Sequence, residues 1–584
     1  MTKERKMSHE KFELKNLYQL VDRANELFGN ETAYRFNRTK DEEFSITYGE
    51  YYHYVRKLTL AMNKIGVKDQ KVVVMGETSV QWIATYMATI FAGGVIVPLD
   101  PGLLHEEMIN FINLSEAKVV VYSNTFEALF KEHENEMPTV EKFVMTNKAL
   151  FTLEPDEDYV DEKYISYRSF LTMGDKLYTE YNESNDESKF DFYDQDTEKM
   201  QVLLFTSGTT GTSKGVMLNQ RNICAVENDI YPVFSVLGTD DLLLSVLPPH
   251  HTYELATGML APFMFGATIA ISDGIKYVVK NIKQYKPTIM TLVPLFASTF
   301  YKTILKNVEK QGKTKKLKTG MKISKLLRCF GIDMRRKLFK DIHEVFGGRL
   351  KYLIVGGAAL NPEIVDFFHA IGVQMSQGYG ITECAPLISV VPLNKYNRSS
   401  CGKAMDGVTV RIEKEREEDN YGEIIVTGKN VMLGYYNRPD LTAEVMTDDG
   451  WFRTGDYGYV DKKGYIYITG RKKNIIIASN GKNVFPEEIE EYIENIPYVA
   501  EVVVVGRENE KMGDTIIVAV VVPNYEECDA QGLHDDETIY EAINHAVHDL
   551  NQKLESFKHI DVVELRKEPF EKTSSRKIKR FLVK

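Results

Sequence analysis

The chain has 584 residues, and its 72 Lys and Arg against 84 Asp and Glu leave a formal charge of −12, which excludes a globally basic nucleic-acid binder. At about 150 residues per domain the length predicts roughly three or four domains. Hydrophobic residues at 43% and aromatic residues at 11% exclude global disorder.

The first residues, MTKERKMSHEKFELKN, are charged throughout and lack the apolar stretch of a signal peptide, so the mature protein is expected to start near Met1. Five cysteines form no CxxC pair, and their spacing suits neither a disulfide framework nor a zinc site, which predicts a reducing cytoplasm. Two uncharged segments, Trp82 to Leu99 and Leu255 to Ile271, are near or below the length of a membrane span and are broken by Gly and Pro. Each reads as a buried helix turning into a buried strand.

From about Ile46, apolar helical stretches alternate with short runs such as Lys71 to Met75, Ala117 to Tyr122 and Leu350 to Val355. That alternation predicts an α/β fold with parallel pairing. Asp156 to Glu198 is acidic and Tyr-rich with few aliphatic residues, and reads as an exposed connection or flap. Basic residues crowd a helical pattern at Lys302 to Lys340; a solvated helical face is the plainer reading, and a patch for anionic lipid head groups the sharper one. After Tyr421 the texture turns β-rich and Gly-punctuated. A smaller α+β unit follows, with a helix opened by Pro486, strands at Val502 to Val505 and Thr515 to Val522, and a helix from Asp536 to Leu554. The composition places the boundary near Gly470-Arg471, giving a large domain over 1–470 and a small one over 471–584.

Several segments carry chemistry. The apolar strand Leu203-Leu204-Phe205 runs into Thr206-Ser207-Gly208-Thr209-Thr210-Gly211-Thr212-Ser213-Lys214-Gly215, a flexible loop dense in hydroxyls with one lysine. Such a loop can wrap a polyphosphate with N–H groups and hydroxyls while Lys214 supplies a point charge. It is not a Walker A loop, because Ser213 and Gly215 flank the lysine where Gly and Ser or Thr are needed. Gly356-Gly357-Ala358-Ala359 ends a strand in small residues; it suits a flat ligand lying on the backbone, and equally a tight strand-to-helix turn. Gln377-Gly378-Tyr379-Gly380-Ile381-Thr382-Glu383 offers an aromatic face, a hydroxyl and a carboxylate hard enough for Mg²⁺, although an ordinary loop can look the same. Asp456 follows a Gly turn and suits a ribose diol or plain solvent. Gly470-Arg471-Lys472-Lys473-Asn474 is a basic turn at the composition boundary, and the tail Glu571 to Arg580 reads without context as a disordered basic end. His250 and His251 precede the second apolar segment, where lone histidines are more often satisfied core groups than catalysts.

In this order and over roughly Ile46 to Arg580, these segments resemble the adenylate-forming superfamily of acyl-CoA synthetases, firefly luciferase and peptide-synthetase adenylation domains. The resemblance implies a luciferase-like large domain of several layers, with β-sheets packed by helices, plus a small mobile α+β C-terminal domain that turns about a hinge near 471–474, with Lys473 at the hinge position. It implies ATP, Mg²⁺ and coenzyme A as reactants. The ATP-binding residues would be Thr206, Ser207, Gly208, Thr209, Thr210, Gly211, Lys214, Gly357, Ala358, Gln377, Gly378, Tyr379, Gly380, Thr382, Asp456, Arg471 and Lys577. Gly357 and Ala358 would line the adenine pocket, Tyr379 would stack on the base, Thr382 would meet phosphate, and Asp456 and Arg471 would meet the ribose. The catalytic set would be Thr206, Lys214, Glu383 as Mg²⁺ ligand, His251 bordering the acyl site, and Lys577 reaching the reacting carboxylate. Gly481 would face the pantetheine arm. Two departures bear on the tail: Arg576 stands where many relatives have Gly, and Glu571 where they often have Pro, which leaves Lys579 as the nearest alternative to Lys577.

His251 is not read as a general base, since a carboxylic acid is already ionised at neutral pH. The run LPPHHTYE, the basic insertion after Lys302 and the ending RKIKR look most like bacterial long-chain fatty acyl-CoA synthetases. The expected reaction is ATP-dependent activation of a medium- or long-chain fatty acid to acyl-AMP and transfer to coenzyme A. Ligation to an acyl carrier protein, or of an aryl or short-chain acid to coenzyme A, is the alternative. A peripheral membrane contact is left open and nucleic acid is not expected.

Overall fold

Runs of β-branched and aliphatic residues too short for helices become the strands of large sheets. The computed structural model describes residues 12–154, 162–184, 196–206, 213–478, 482–509, 514–572 and 578–583. Two compact units divide them: the described residues of Met1–Ser207, Ser213–Thr409 and Thr427–Glu444 form one, those of Val410–Val426 and Val445–Lys584 the other.

Among the described residues, the first unit holds a nine-stranded and an eight-stranded sheet. In the first, Gln374–Gly380, Tyr352–Val355, Ile289–Leu292, Leu242–Ser245, Thr268–Ile271 and Thr32–Thr39 lie side by side in parallel. Antiparallel strands Leu387–Val390 and Lys403–Ala404 extend one edge and Glu42–Thr47 the other. In the second, Met200–Thr206, Val95–Pro98, Lys71–Met75, Val119–Ser123, Lys142–Thr146 and Tyr164–Ser166 are parallel, and Lys214–Asn219 and Gly434–Tyr435 add antiparallel strands beyond Met200–Thr206. Val72 to Met75 and Leu242 to Ser245 are buried, as expected for parallel strands covered on both faces.

Both uncharged segments are interior, as the sequence predicts. Trp82 to Leu99 is the helix Val80–Phe91, buried at every position and capped by Ser79, followed by the strand Val95–Pro98. Each large apolar side chain so buried contributes about 1.5–3 kcal/mol, enough to hold the segment inside without a bilayer. Leu255 to Ile271 starts as a π-helix, Leu255–Leu260, tightens to a 3₁₀ turn, Ala261–Met264, and ends in the strand Thr268–Ile271.

The expectation of an exposed connection or flap over Asp156 to Glu198 is corrected for its described residues: Tyr167–Ser184 is an 18-residue helix with a buried face. Tyr167, Phe170, Leu171 and Met173 are buried, and Lys57 pairs with Asp175 at 2.7 Å across to the helix Tyr48–Lys64. Its acidic, Tyr-rich composition hides the few apolar residues that make one buried face. The basic stretch after Lys302 is helical, Pro294–Lys310 and Thr314–Cys329 with two shorter helices after them, and its lysines are mostly exposed.

The second unit begins with the sheet formed by Val408–Glu413, Gly422–Gly428, Phe452–Val460 and Ile466–Arg471. The antiparallel pair Val499–Asn509 and Asp514–Pro523 joins Val562–Leu565 in a three-stranded sheet. Helices Pro486–Ile493, with Pro at its first turn, and Asp536–Asn551 pack on it through Ile489, Ile493, Ile543 and Val547. The latter helix stops before Leu554 because the Asn551 amide bonds the backbone of Ile560 in both directions, at 2.9 Å each, turning the chain back.

Glu490, buried on the first of these helices, takes the Arg580 guanidinium on both oxygens at 2.6 and 2.7 Å and the Val504 N–H at 2.6 Å. Burial pushes its carboxyl upward and Arg580 opposes that rise. Arg580→Ala therefore leaves a buried carboxyl without its cation and is expected to cost the second unit about 3–5 kcal/mol at alkaline pH, where Glu490 is ionised in the parent. With its folded pKa raised to about 7, Glu490 is protonated below that value whether or not Arg580 is present, so the deficit should be small at acid pH and grow as pH rises through about 7. Hydrogen exchange of the Pro486–Ile493 helix at both pH values checks this; an equal deficit at acid pH would contradict it.

Candidate active site

Thr206 and Lys214 face each other as register partners at the ends of two antiparallel strands. The Thr206 hydroxyl donates to the Lys214 carbonyl at 3.4 Å, so the sequence's phosphate loop springs from a fixed stem. Ser207, Gly208, Thr209, Thr210 and Gly211 lie outside the described residues, as do Gly481 and Lys577.

The next strand over brings in a residue the sequence reading misses. Tyr435 pairs with Val216 in the antiparallel ladder, and its phenol lies between two expected site residues. The Lys214 ammonium sits 4.8 Å from the centre of its ring, and its hydroxyl donates to Glu383 Oε1 at 2.9 Å. Burial and the Glu383 charge raise the Tyr435 phenol well above its ordinary value, so it remains a donor at neutral pH. The loop carrying Glu383 is held from the same side: the Asn430 amide donates to the carbonyls of Cys384 and Leu387, and Met432 N–H to the Glu383 carbonyl. Only the GYY run around Tyr435 could have drawn attention in the sequence, and nothing in it points 52 residues back to Glu383.

The adenine-side segments follow neighbouring parallel strands. Val355 is the register partner of Gln377, so Gly356-Gly357-Ala358-Ala359 leaves the sheet at its carboxyl edge, where open α/β sheets bind ligands, beside Gly378 to Gly380, which continue their strand before the turn Ile381 to Glu383. Gly357 has φ +88°, and Gly357, Ala358 and Ala359 are exposed. Tyr379 is buried, Gln377 donates to the Asn397 carbonyl at 3.3 Å, and Thr382 is partly exposed. Gly380 admits no side chain, because a Cβ would meet the Pro386 carbonyl oxygen at 1.8 Å. Tyr253, also missed by the sequence reading, supports the turn from below. Its hydroxyl donates to the carbonyls of Leu292 and Ile354, and its ring fills the space under Gly356.

His251 caps the short helix Thr252–Glu254 and packs on His250 with ring centres 4.3 Å apart. Burial lowers the pKa of His250, 3.7 Å from Asp100, and raises those of Tyr253 and Glu254. Desolvation therefore disfavours charge along this strip, a surrounding that suits an apolar chain better than a polar one.

The second unit carries a separate group. Asp456 and Arg471 are cross-strand register partners, and Arg471 Nε donates to Asp456 Oδ1 at 2.8 Å with Asp456 only 3% exposed. Gly455, at φ +68°, donates its N–H to Glu423, which also pairs with Lys472 at 2.8 Å. Asn474 donates to Glu487 at 2.6 Å, so Arg471, Lys472 and Asn474 are all anchored around the exposed Lys473. The tail is built rather than loose: Lys572 and Ile578 pair as an antiparallel bridge, Lys579 N–H donates to the Glu571 carbonyl at 2.8 Å, and Lys572 pairs with Glu501. The reading of this tail as a disordered basic end is thereby corrected for its described residues. Both flanks of Lys577 are pinned to the small sheet.

Among the described residues there is no cluster of three or more metal-ligating side chains. Glu383 alone, partly exposed and with one oxygen held by Tyr435, fits Mg²⁺, which usually takes one or two carboxylates and completes its shell with water and substrate phosphates.

Known proteins point the same way. Long-chain-fatty-acid–CoA ligase ACSBG2 of Rattus norvegicus is 27% identical over 487 residues, covering 79% of this chain and 71% of that protein. The chloroplastic long-chain-fatty-acid–acyl-carrier-protein ligase AEE15 of Arabidopsis thaliana is 26% identical over 567 residues, covering 87% and 76%. The ATP-bound crystal structure of MatB from Rhodopseudomonas palustris superposes with a TM-score of 0.71 at 21% identity, covering 97% of both chains, and so shows the fold. The family described as AMP-binding enzyme matches residues 21–436, and its C-terminal domain matches 473–583. On these matches the chain belongs to the AMP-binding enzyme family.

Proposed function

We propose that this protein activates a medium- or long-chain fatty acid with ATP and passes the acyl group to coenzyme A. A carboxylate oxygen attacks the α-phosphorus, the bond to the β-phosphate oxygen breaks, and pyrophosphate leaves. The coenzyme A thiolate then attacks the acyl carbon and AMP departs with the oxygen it gained, the thiol proton passing to solvent. The observation that carries this reading is the line Lys214, Tyr435, Glu383 at the stem of the hydroxyl-rich loop.

Carboxylate and triphosphate repel each other, so the residues must above all neutralise charge and align the attack. Lys214 supplies one fixed positive charge and Lys577 a second at the reacting carboxylate; Thr206 and the loop after it hold phosphate oxygens. Mg²⁺ on Glu383, when bound, neutralises phosphate charge and favours the departure of pyrophosphate. Tyr379 and the Gly357-Ala358 turn take the base, Thr382 a phosphate, and Asp456 with Arg471 the ribose. His251 borders the acyl group. Lys473 as hinge, the division near 470, and Gly481 on the thiol side belong to the same proposal.

A carrier protein as acceptor is the second reading, favoured by the Arabidopsis relative, which aligns over the larger share of this chain. The five cysteines form no disulfide, which supports a reducing, cytoplasmic setting. No helix among the described residues is long and apolar enough to cross a membrane, and the membrane contact proposed for this chain is a peripheral one.

The test is mass spectrometry of products from MgATP and acids from acetate to oleate, plus benzoate, with no acceptor, with coenzyme A and with acyl carrier protein. Acyl-AMP alone and acyl-CoA with coenzyme A are expected; acyl transfer only to the carrier would select the second reading, and no ATP-dependent product would refute both. Lys577→Ala should abolish adenylate formation yet largely spare thioester formation from supplied acyl-adenylate; equal loss of both would transfer the role elsewhere, with Lys579 the first candidate. Tyr435→Phe keeps the ring under Lys214 but removes the donor to Glu383. Losing one hydrogen bond to a charged group, worth about 1.5–3 kcal/mol, should slow pyrophosphate exchange roughly 10- to 100-fold without unfolding the protein. An unchanged rate would remove Tyr435 from the site.

A further inference from the structure

Residues 302–340 hold fourteen Lys and Arg against only Glu309 and Asp333, a net of +12 on a chain whose total is −12. The helix Thr314–Cys329 is fixed to the first unit by its inner face, where Leu317 and Ser324 are buried and the Arg328 guanidinium meets His369 at 2.6 Å. Its outer face is not a plain polar one. Leu326 is 61% exposed, Ile323 45%, Phe330 at the helix end 74%, and Ile332 just beyond it 49%. Positions 323, 326 and 330 fall within about 60° of arc at roughly 100° per residue, so they form one outward apolar stripe.

Lysines flank that stripe. Lys316 lies to one side of it, and Lys318, Lys322 and Lys325 to the other, all exposed. Among the described residues none of these four lysines makes an ion pair. The pairs in the stretch involve Lys313 with Asp341 and Arg335 with Asp333. A solvated helix needs the lysines but not the exposed Leu and Phe. A packed helix needs the Leu and Phe but not an unpaired basic border.

We propose that the outward face of Thr314–Cys329, continued by Phe330 and Ile332, docks on an anionic lipid bilayer. The apolar side chains enter the boundary of the acyl region while the lysines, strongly hydrated charges on long apolar stems, stay among the head groups. Charge complementarity selects anionic lipid over neutral lipid. The predominance of lysine over arginine on this helix fits a diffuse layer of head groups better than fixed carboxylates on a protein, which the arginine fork matches. The surface stands independently of the reaction, although a bilayer is also where a long-chain acid of the proposed substrate class dissolves.

Sedimentation of the full chain with vesicles tests this, using phosphatidylcholine alone and phosphatidylcholine mixed equally with phosphatidylglycerol. The protein should pellet with the anionic vesicles only, less so as salt is raised. The pair Leu326→Asp and Phe330→Asp, and separately the set Lys316→Glu, Lys318→Glu and Lys322→Glu, should each weaken binding at least tenfold while melting like the parent. Wild-type protein left in the supernatant, or variants that pellet like the parent, would overturn the assignment. So would a dimer, or a complex with an acidic carrier protein, that forms without vesicles and is broken by the same substitutions.

Discussion

A single phenol joins the two charged groups on which the chemistry proposed for the large unit rests. Tyr435 takes the Lys214 cation on its ring face and donates a hydrogen bond to the Glu383 carboxylate. A lysine and a carboxylate set directly against each other would cancel, and neither would be left to serve phosphate or metal. The intervening ring keeps the cation near an electron-rich face and the anion at a donor's end, so both charges stay available and fixed. That arrangement depends on three strands lying side by side, Gly434–Tyr435, Lys214–Asn219 and Met200–Thr206, and on the loop after Gln374–Gly380 being held by Asn430.

The rest of the large unit positions groups around that line. Parallel strands deliver turns at one edge, and the small-residue turns there leave backbone within reach of a flat ligand. Tyr253 fills the space under Gly356, so the turn stays open without being loose. Beside His251, desolvation disfavours the charged forms of His250, Tyr253 and Glu254. Charge is thus gathered along the line from Lys214 to Glu383 and disfavoured beside His251, as the proposed placement of phosphate and alkyl chain requires. The second unit repeats the use of cross-strand pairs, with Asp456 opposite Arg471 and Lys572 opposite Ile578.

Much of this is legible in the sequence because it is local. Aliphatic runs mark the parallel strands, Gly and Pro mark where the uncharged segments turn, and the loop residues from Thr206 to Lys214 announce their chemistry by composition. What the sequence hides is long-range. Tyr435 and Tyr253 look like ordinary aromatics until strand pairing sets one beside Glu383 and the other under Gly356. The helix Tyr167–Ser184 hides behind acidic composition, since four large buried apolar side chains suffice to hold it. Arg580 reads as part of a loose tail because its partner, Glu490, lies 90 residues earlier. The same holds for 410–426, whose place in the second unit is decided by strands that follow it in the chain.

The most direct measurement is the fate of oxygen when a fatty acid carrying heavy oxygen in its carboxylate reacts with ATP and coenzyme A. Attack of the carboxylate on the α-phosphorus predicts AMP containing one heavy oxygen and unlabelled pyrophosphate. Unlabelled AMP, or label in orthophosphate or pyrophosphate, would contradict adenylate formation and with it the account of Lys214, Tyr435 and Glu383.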